Sequence, residues 1–180
     1  QTFSGDCNAQ GVVVVALNST KRCTITNNDI PAVTLSGAAN VAGQPGQTAS
    51  VGFTFAANGN SINTAFFSID FDQTCLAFST VNFNLPTGFG ATHQLDLTDQ
   101  DGELDISIQD LVVPFMSLPD GTIVTIVSLV SSSAACQSPT GSTKIAAVNF
   151  SDDPTASFGN PAGEAIPATL NNGSVAIGTT

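Results

Sequence analysis

Two runs of alternating apolar residues, Ala49-Ser-Val-Gly-Phe-Thr-Phe55 and Ala65-Phe-Phe-Ser-Ile-Asp-Phe71, decide the fold of this chain. In each run every second residue is apolar, which is typical of a β-strand with one buried face. The turn sequence Asn58-Gly-Asn60 separates the two runs. Shorter alternating runs continue toward the C-terminus, and turns rich in Gly, Pro, Asn and Asp interrupt them at the spacing of a β-sandwich. The pattern therefore predicts an all-β fold.

About nine short strands are predicted from residue 32 onward. The run Thr122–Val130 is β-branched and apolar at most positions, which indicates a central strand. The run Lys144–Phe150 is predicted to lie beside it.

Composition excludes several classes of partner. The chain has 180 residues, of which 42% are hydrophobic and 9% charged, and its formal net charge is -11. This charge repels nucleic acid and anionic lipid surfaces, so neither is an expected partner. The apolar stretches are too short for a membrane helix, so we expect no membrane insertion. Four cysteines with few Lys and Arg residues are typical of a secreted, extracellular or cell-surface protein.

The N-terminal segment is predicted to form a separate β-hairpin. Its strands are expected at Gly11–Ala16 and Arg22–Thr26, ahead of a linker at Asn27–Pro31. The predicted division is therefore a hairpin extension over residues 1–31, able to act as a donor strand, and a sandwich over residues 32–180.

The four cysteines allow three disulfide pairings. Their separate placement in the hairpin and the sandwich favours Cys7 with Cys23 and Cys75 with Cys136, worth about 3 and 4 kcal/mol by loop entropy. A metal site is the poorer alternative because no C-x2-C pair occurs.

An acidic stretch suggests one cofactor, calcium. Asp99, Asp101, Glu103 and Asp105 could supply part of an oxygen-ligand set for this ion. The alternative is that Asp101-Gly102 forms a tight hairpin turn, with the acids along the solvent face of an edge strand and no cofactor bound.

We expect no enzymatic activity and no catalytic residue. His93 is the single histidine, no Gly-x-Ser-x-Gly motif is present, and Trp and Tyr are absent. His93 is therefore interpreted as a loop or rim residue. Two Asn-x-Ser/Thr sequons at predicted turns, Asn18 and Asn172, are candidate glycosylation sites.

Eight pieces of the sequence carry a family resemblance. They are a Gly43-Gln-Pro-Gly46 turn before the first strand, Phe67-Ser-Ile-Asp-Phe-Asp72, Cys75-Leu-Ala-Phe78, Asp99-Gln-Asp-Gly-Glu-Leu-Asp-Ile-Ser-Ile108, Leu118-Pro-Asp-Gly-Thr-Ile-Val-Thr125, Val148-Asn-Phe150, Ala156-Ser-Phe-Gly159 and Asn172-Gly-Ser-Val-Ala-Ile177. With them, the segment from Ala49 to Gly178 resembles a cohesin-type domain of exported bacterial surface proteins. The resemblance implies a jelly-roll sandwich of nine strands, and family members act as docking, carbohydrate-associated or structural modules.

The first 32 residues resemble the last hairpin of prealbumin-like or Ig-like repeats of bacterial secreted proteins. The signature is Cys23-Thr-Ile-Thr-Asn-Asn-Asp-Ile-Pro31, with Cys7 upstream. Such repeats contribute further strands before this hairpin, and a two-stranded ribbon alone is marginally stable in water. We therefore expect the hairpin to dock on its own sandwich or on a neighbouring subunit.

Two functions follow as hypotheses. The first is a non-catalytic structural subunit of a surface filament or layer, in which the hairpin joins copies of the same chain. The alternative is a cohesin-like receptor or adhesion module that binds a dockerin-like partner, another surface protein or a glycan.

Overall fold

The computed structural model describes residues 2–26, 30–98, 102–139 and 142–178. The chain divides into two compact units, residues 1–30 and residues 31–180. No helix in the described ranges is long and apolar enough to cross a membrane.

The first unit contains a two-stranded antiparallel ribbon made of β1 (Thr2–Gly5) and β2 (Cys23–Thr26). The second strand lies within the predicted run Arg22–Thr26. The predicted first strand, Gly11–Ala16, is wrong, because β2 pairs with β1 and residues 11–16 form no strand.

The ends of the ribbon explain this pairing. Cys7 is bonded to Cys23 with a Cα–Cα distance of 5.3 Å, which brings the chain just after β1 alongside β2. The Asp6 amide donates to the Arg22 carbonyl at 2.8 Å, and the Arg22 amide donates to the Asp6 carboxylate at 2.9 Å. The Arg22 amide and the nearby Lys21 ammonium lower the pKa of Asp6 from its ordinary value. These bonds select Thr2–Gly5 over the more apolar run as the partner of β2.

The second unit contains thirteen strands among its described residues, arranged in two sheets with one core between them. In chain order they are β3 (Val33–Gly37), β4 (Val41–Gly43), β5 (Thr48–Ala56), β6 (Thr64–Phe71), β7 (Leu76–Phe83), β8 (Gly90–Asp96), β9 (Glu103–Gln109), β10 (Gly121–Val130), β11 (Lys144–Phe150), β12 (Ser157–Gly159), β13 (Ala165–Ile166), β14 (Ala168–Asn171) and β15 (Gly173–Ile177).

The smaller sheet has the strand order β14-β3-β5-β10-β7. In the larger sheet, β8 pairs with β9, and β9 pairs with β6. The other edge of β6 pairs with β12 near its start and with β11 near its end, and the sheet continues through β15 to β4. The order places β10 centrally, as predicted. The prediction that β11 lies beside β10 is wrong, because β11 pairs with β6 and β15 and so belongs to the opposite sheet.

The sandwich forms more strands than the predicted nine because the segment at each of its ends divides into two strands, one in each sheet. The strands β3 and β4 belong to different sheets, and so do β14 and β15. At the first crossing Asn40 takes a left-handed φ of 56°, a conformation that Asn tolerates better than most residues. The short strands β12 and β13 account for the remaining difference. The predicted jelly-roll β-sandwich is confirmed.

The core is built on phenylalanines from the alternating runs that decide the fold. Phe53, Phe55 and Phe67 are almost completely buried. The ring of Phe53 meets that of Phe150 edge-on with centroids 5.6 Å apart, and Phe55 stacks on Phe158 at 6.0 Å. Full burial of such a side chain stabilises the fold by about 2–3 kcal/mol.

A buried disulfide extends the pairing of β7 and β10. Cys75 directly precedes β7, and Cys136 lies in a single turn of 3₁₀-helix, Ala134–Cys136, after β10. The two residues are bonded, with their Cα atoms 5.3 Å apart, and both are buried. The backbone amide of Ser131 also donates to the Cys75 carbonyl at 2.9 Å. This link fixes the connection after β10 to the smaller sheet.

Candidate functional site

Acidic and polar side chains from β6, β8 and β9 share the outer face of the larger sheet. The strand register places Asp70 opposite Glu103, and Glu103 opposite Asp96. These side chains point away from the core because their neighbours Ile69 and Leu104 are fully buried. The face therefore carries a row of three acidic residues across three adjacent strands.

Only part of the predicted calcium set falls within the described residues. Glu103 and Asp105 lie on this outer face, whereas Asp99 and Asp101 lie outside the described residues. In the part of the chain that the structure describes, no three His, Cys, Asp or Glu side chains come together as a metal site requires. Calcium at Asp99, Asp101, Glu103 and Asp105 stays a prediction.

The alternative interpretation of the acidic stretch needs one correction. The strand that carries Glu103 and Asp105 is β9, and it is not an edge strand, because it pairs with β8 on one side and with β6 on the other. The edge strand is β8. Gly102, which directly precedes β9, has a φ of 69°. Asp101 lies outside the described residues, so the tight turn at Asp101-Gly102 stays a prediction.

The same face holds two polar atoms that lack a hydrogen-bond partner. Ser68 on β6 lies opposite Asp105 on β9, and its side chain is fully buried. Neither the Ser68 Oγ nor the Asp105 Oδ1 has a hydrogen-bond partner within the chain. A buried polar group without a partner costs about 1–3 kcal/mol.

A cavity of about 390 Å³ opens beside Asp105. Phe66 lines it and is 39% exposed, an unusual position for a phenylalanine in this chain, where most rings are in the core. The Ser151 amide donates to the Ser68 carbonyl at 3.0 Å, which brings the connection after β11, and with it Pro154, to the cavity. Apolar, acceptor and carboxylate groups thus meet on one exposed surface. We call this surface the acidic face, and it consists of Phe66, Asp70, Gln94, Asp96, Glu103 and Asp105.

Sequence reasoning did not identify Phe66 or Ser68. The available signal was the doublet Phe66-Phe67: when adjacent residues of a strand are both large and apolar, one of them must point outward.

His93 lies on β8 rather than in a loop. Its ring is 5.9 Å from that of Phe78 and 6.4 Å from that of Phe83, measured between centroids. Both phenylalanines belong to β7, the edge strand of the smaller sheet. His93 is exposed, and it therefore lies at the rim of the sandwich, beside the rings of the smaller sheet.

Charge is distributed very unequally between the two units. Residues 31–180 hold twelve of the fourteen acidic residues and one of the three basic residues, Lys144, which gives this unit a formal side-chain charge of -11. Residues 1–30 hold two acidic and two basic residues and are formally neutral. The sandwich unit consequently attracts basic partners and repels acidic ones, with a field that salt screens.

A second surface feature is the loop between β9 and β10. Asp110 is almost completely buried, and its carboxylate accepts hydrogen bonds from the amides of Met116 at 2.7 Å and Val112 at 3.0 Å. These bonds, that of Met116 foremost, lower the pKa of Asp110. The residues between, Leu111 to Phe115, point their apolar side chains into solvent. The sequence signal for this loop is that the run Leu111-Val-Val-Pro-Phe115 lacks the alternation of a strand and contains a proline.

The two candidate glycosylation residues are both exposed. Asn18 lies in a turn of the first unit and has a φ of 61°. Asn172 lies between β14 and β15, and its Oδ1 accepts a hydrogen bond from the Phe150 amide at 2.9 Å. Glycosylation at these residues stays a prediction.

Comparison with known proteins adds structural neighbours only. No protein-family model and no curated protein matches the chain. The sixth cohesin of scaffoldin B from Acetivibrio cellulolyticus, solved in complex with a dockerin, is 25% identical with a TM-score of 0.60, and the match covers 81% of this chain and 98% of that one.

Two further neighbours have lower sequence identity. A type I cohesin from Clostridium thermocellum, also solved with a dockerin, is 14% identical with a TM-score of 0.64, and the match covers 87% of this chain and all of that one. The cohesin module of a family 33 glycoside hydrolase from Clostridium perfringens is 10% identical with a TM-score of 0.58, covering 83% of this chain and 98% of that one. The jelly-roll sandwich of this chain therefore has the fold of cohesin modules.

Proposed function

We propose that the sandwich is a non-catalytic docking module of an exported protein and binds a dockerin-like partner protein through the acidic face. The observation that carries the proposal is the likeness to cohesins solved in complex with dockerins. The two disulfides suit the oxidising conditions outside the cell.

The acidic face offers the chemistry that such a partner needs. Phe66 provides an exposed apolar anchor next to a cavity, and aromatic anchors commonly dominate the energy of protein interfaces. The carboxylates of Asp70, Asp96 and Glu103 lie in a row on the same face. The formal charge of -11 on this unit favours a partner segment with Lys or Arg beside an apolar side chain.

A binding assay with a matched control tests the proposal. The immobilised chain is titrated with a panel of purified dockerins that includes those of the two neighbouring complexes. We expect at least one to bind and its affinity to fall at least about tenfold in Phe66→Ala, since loss of an interface anchor costs about 2 kcal/mol or more. Leu129→Ala removes an exposed apolar side chain from the smaller sheet and should leave the affinity unchanged.

Two outcomes contradict the proposal. Equal affinities of the wild type and Phe66→Ala, with loss in Leu129→Ala, move the docking surface to the smaller sheet. A panel in which no dockerin binds the wild-type chain overturns the dockerin class of partner.

A second candidate function is self-assembly through the N-terminal unit, so that copies of the chain form a filament or layer. The observation that favours it is the exposure of Val12, Val14, Val15 and Leu17 in the connection between β1 and β2. Such a group of apolar side chains in water marks an interaction surface. Sedimentation of the purified chain should show association that rises with concentration, and a monomer at every concentration overturns this candidate.

A further inference from the structure

Two runs of exposed apolar side chains interrupt an otherwise polar surface. One is the hairpin run, residues 12–17 of the first unit, and the other is the sandwich loop, Leu111–Phe115. Together they supply eight of the fourteen large apolar side chains exposed among the described residues. Of the remaining six, Phe66 belongs to the acidic face, and the other five are scattered singly along the chain, which is normal for a folded protein. The two runs therefore need an explanation that the others do not.

The sandwich loop is held in place at both ends. The Asp110 amide donates to the Asn63 carbonyl at 2.8 Å, and the Asn63 side-chain amide donates to the Asp110 carbonyl at 3.1 Å. At the other end, the Leu118 amide donates to the Ile62 carbonyl at 2.6 Å. The buried carboxylate of Asp110 holds the turn between these ends. The loop thus presents its apolar side chains from a fixed backbone, with Val113 76% exposed.

The hairpin run is also fixed at its start. The Asn8 side chain accepts hydrogen bonds from the amides of Gln10 at 3.0 Å and Val12 at 2.9 Å, and the Asn8 amide donates to the Val12 carbonyl at 2.9 Å. The Cys7–Cys23 disulfide ties this turn to β2. A surface whose backbone is already ordered loses little conformational entropy on binding.

The formal charges of the two units favour some contacts between two copies of the chain over others. A contact between two sandwich units brings together two bodies of formal charge -11, and this is unfavourable at low salt. A contact between a sandwich unit and the formally neutral first unit of another copy carries no such penalty. The apolar loop and the apolar hairpin run therefore suit each other better than the loop suits a second loop.

We propose that the sandwich loop of one copy receives the hairpin run of a second copy. This inference rests on the self-assembly proposed above and names the surface that receives the hairpin. Because the two surfaces differ, each copy keeps one of each available, and the contact can repeat along a chain of copies unless it closes into a ring.

Cross-linking between two variants that each carry one added, free cysteine tests the pairing. Val14→Cys and Val112→Cys are purified separately, mixed, and treated with a short bismaleimide reagent. We expect a cross-linked dimer in the mixture, in at least about fivefold excess over dimers in either variant alone. In the control mixture, the variant Leu129→Cys takes the place of Val112→Cys, and the excess of cross-linked dimer should disappear.

Sedimentation supplies the second measurement. Val112→Asp places a charge in the sandwich loop and should weaken self-association at least about tenfold, since it both removes apolar contact and buries an unpaired carboxylate. Leu129→Asp, at an isolated exposed position, should leave it unchanged.

The outcomes separate this inference from self-assembly itself. Dimers of Val14→Cys with itself, together with normal association of Val112→Asp, overturn the sandwich loop as the receiving surface and leave self-assembly intact. A wild-type chain that stays monomeric overturns both.

Discussion

The connection between β1 and β2 in the first unit leaves Leu17 94% exposed, whereas the sandwich buries Phe53, Phe55 and Phe67 almost completely. Both units contain one disulfide, but Cys75 and Cys136 add to an existing core, while Cys7 and Cys23 join a unit with almost no buried apolar surface. The comparison shows two ways of ordering a β-structure. One depends on burial, and the other depends on a covalent link and local hydrogen bonds that leave apolar side chains free for contact.

The largest effect is expected from a cavity in the sandwich core. Phe67→Ala should lower the free energy of unfolding by about 3–5 kcal/mol, measured by chemical denaturation, because it removes a completely buried ring. Leu17→Ala in the first unit is the matched control and should change it by less than about 0.5 kcal/mol. A comparable loss in both variants would contradict the division into a burial-dependent and a burial-independent unit.

An intermediate effect is expected from the exposed disulfide. The double variant Cys7→Ser, Cys23→Ser should destabilise the ribbon by about 3 kcal/mol according to loop entropy, so that the amides of β1 and β2 exchange rapidly with solvent. The thermal midpoint of the sandwich should stay the same. The matched variant Cys75→Ser, Cys136→Ser should lower that midpoint instead, and a midpoint shift in both variants would break the comparison.

The smallest effect concerns the Asp110 turn and depends on pH. The lowered pKa means that the ionised Asp110 stabilises the fold above the ordinary carboxyl value of 3.8 and that this stability is lost as the pH falls through the lowered pKa. Asp110→Asn should therefore lower the thermal midpoint at neutral pH, and the difference from the wild type should shrink in acid. Asp152→Asn, at an exposed carboxyl group, supplies the control. A difference that grows as the pH falls would reverse the assigned role.

The core of the sandwich could be predicted from sequence because alternation is a local property. Every inward residue of the runs 49–55 and 65–71 is buried, as the pattern requires. One outward residue, Ser68, is buried as well. The transfer of the first and last strands between sheets was not predictable in this way. It depends on pairings such as Val33 with Ala168 and Val41 with Val175, which join residues far apart in the chain.

The ribbon shows where pattern reasoning fails. The run Val12–Val15 has the composition of a strand, yet the less apolar Thr2–Gly5 pairs with β2, because the bonds of Asp6 and Cys7 fix the register. The candidate sites likewise depend on contacts that the sequence pattern does not show. Sequence reasoning did not identify Asp110, since its role depends on the amides of Met116 and Val112 folding back onto it.

The crossing strands at the two ends of the sandwich have a mechanical consequence. β3 runs parallel to β14 in one sheet, and β4 runs parallel to β15 in the other. A pulling force applied at residues 31 and 178 acts on these paired strands in opposite directions along their length. The hydrogen bonds between the strands are therefore loaded in shear, all at once rather than one after another. An exported module tethered at both ends would resist extension through this arrangement before its core is exposed to water.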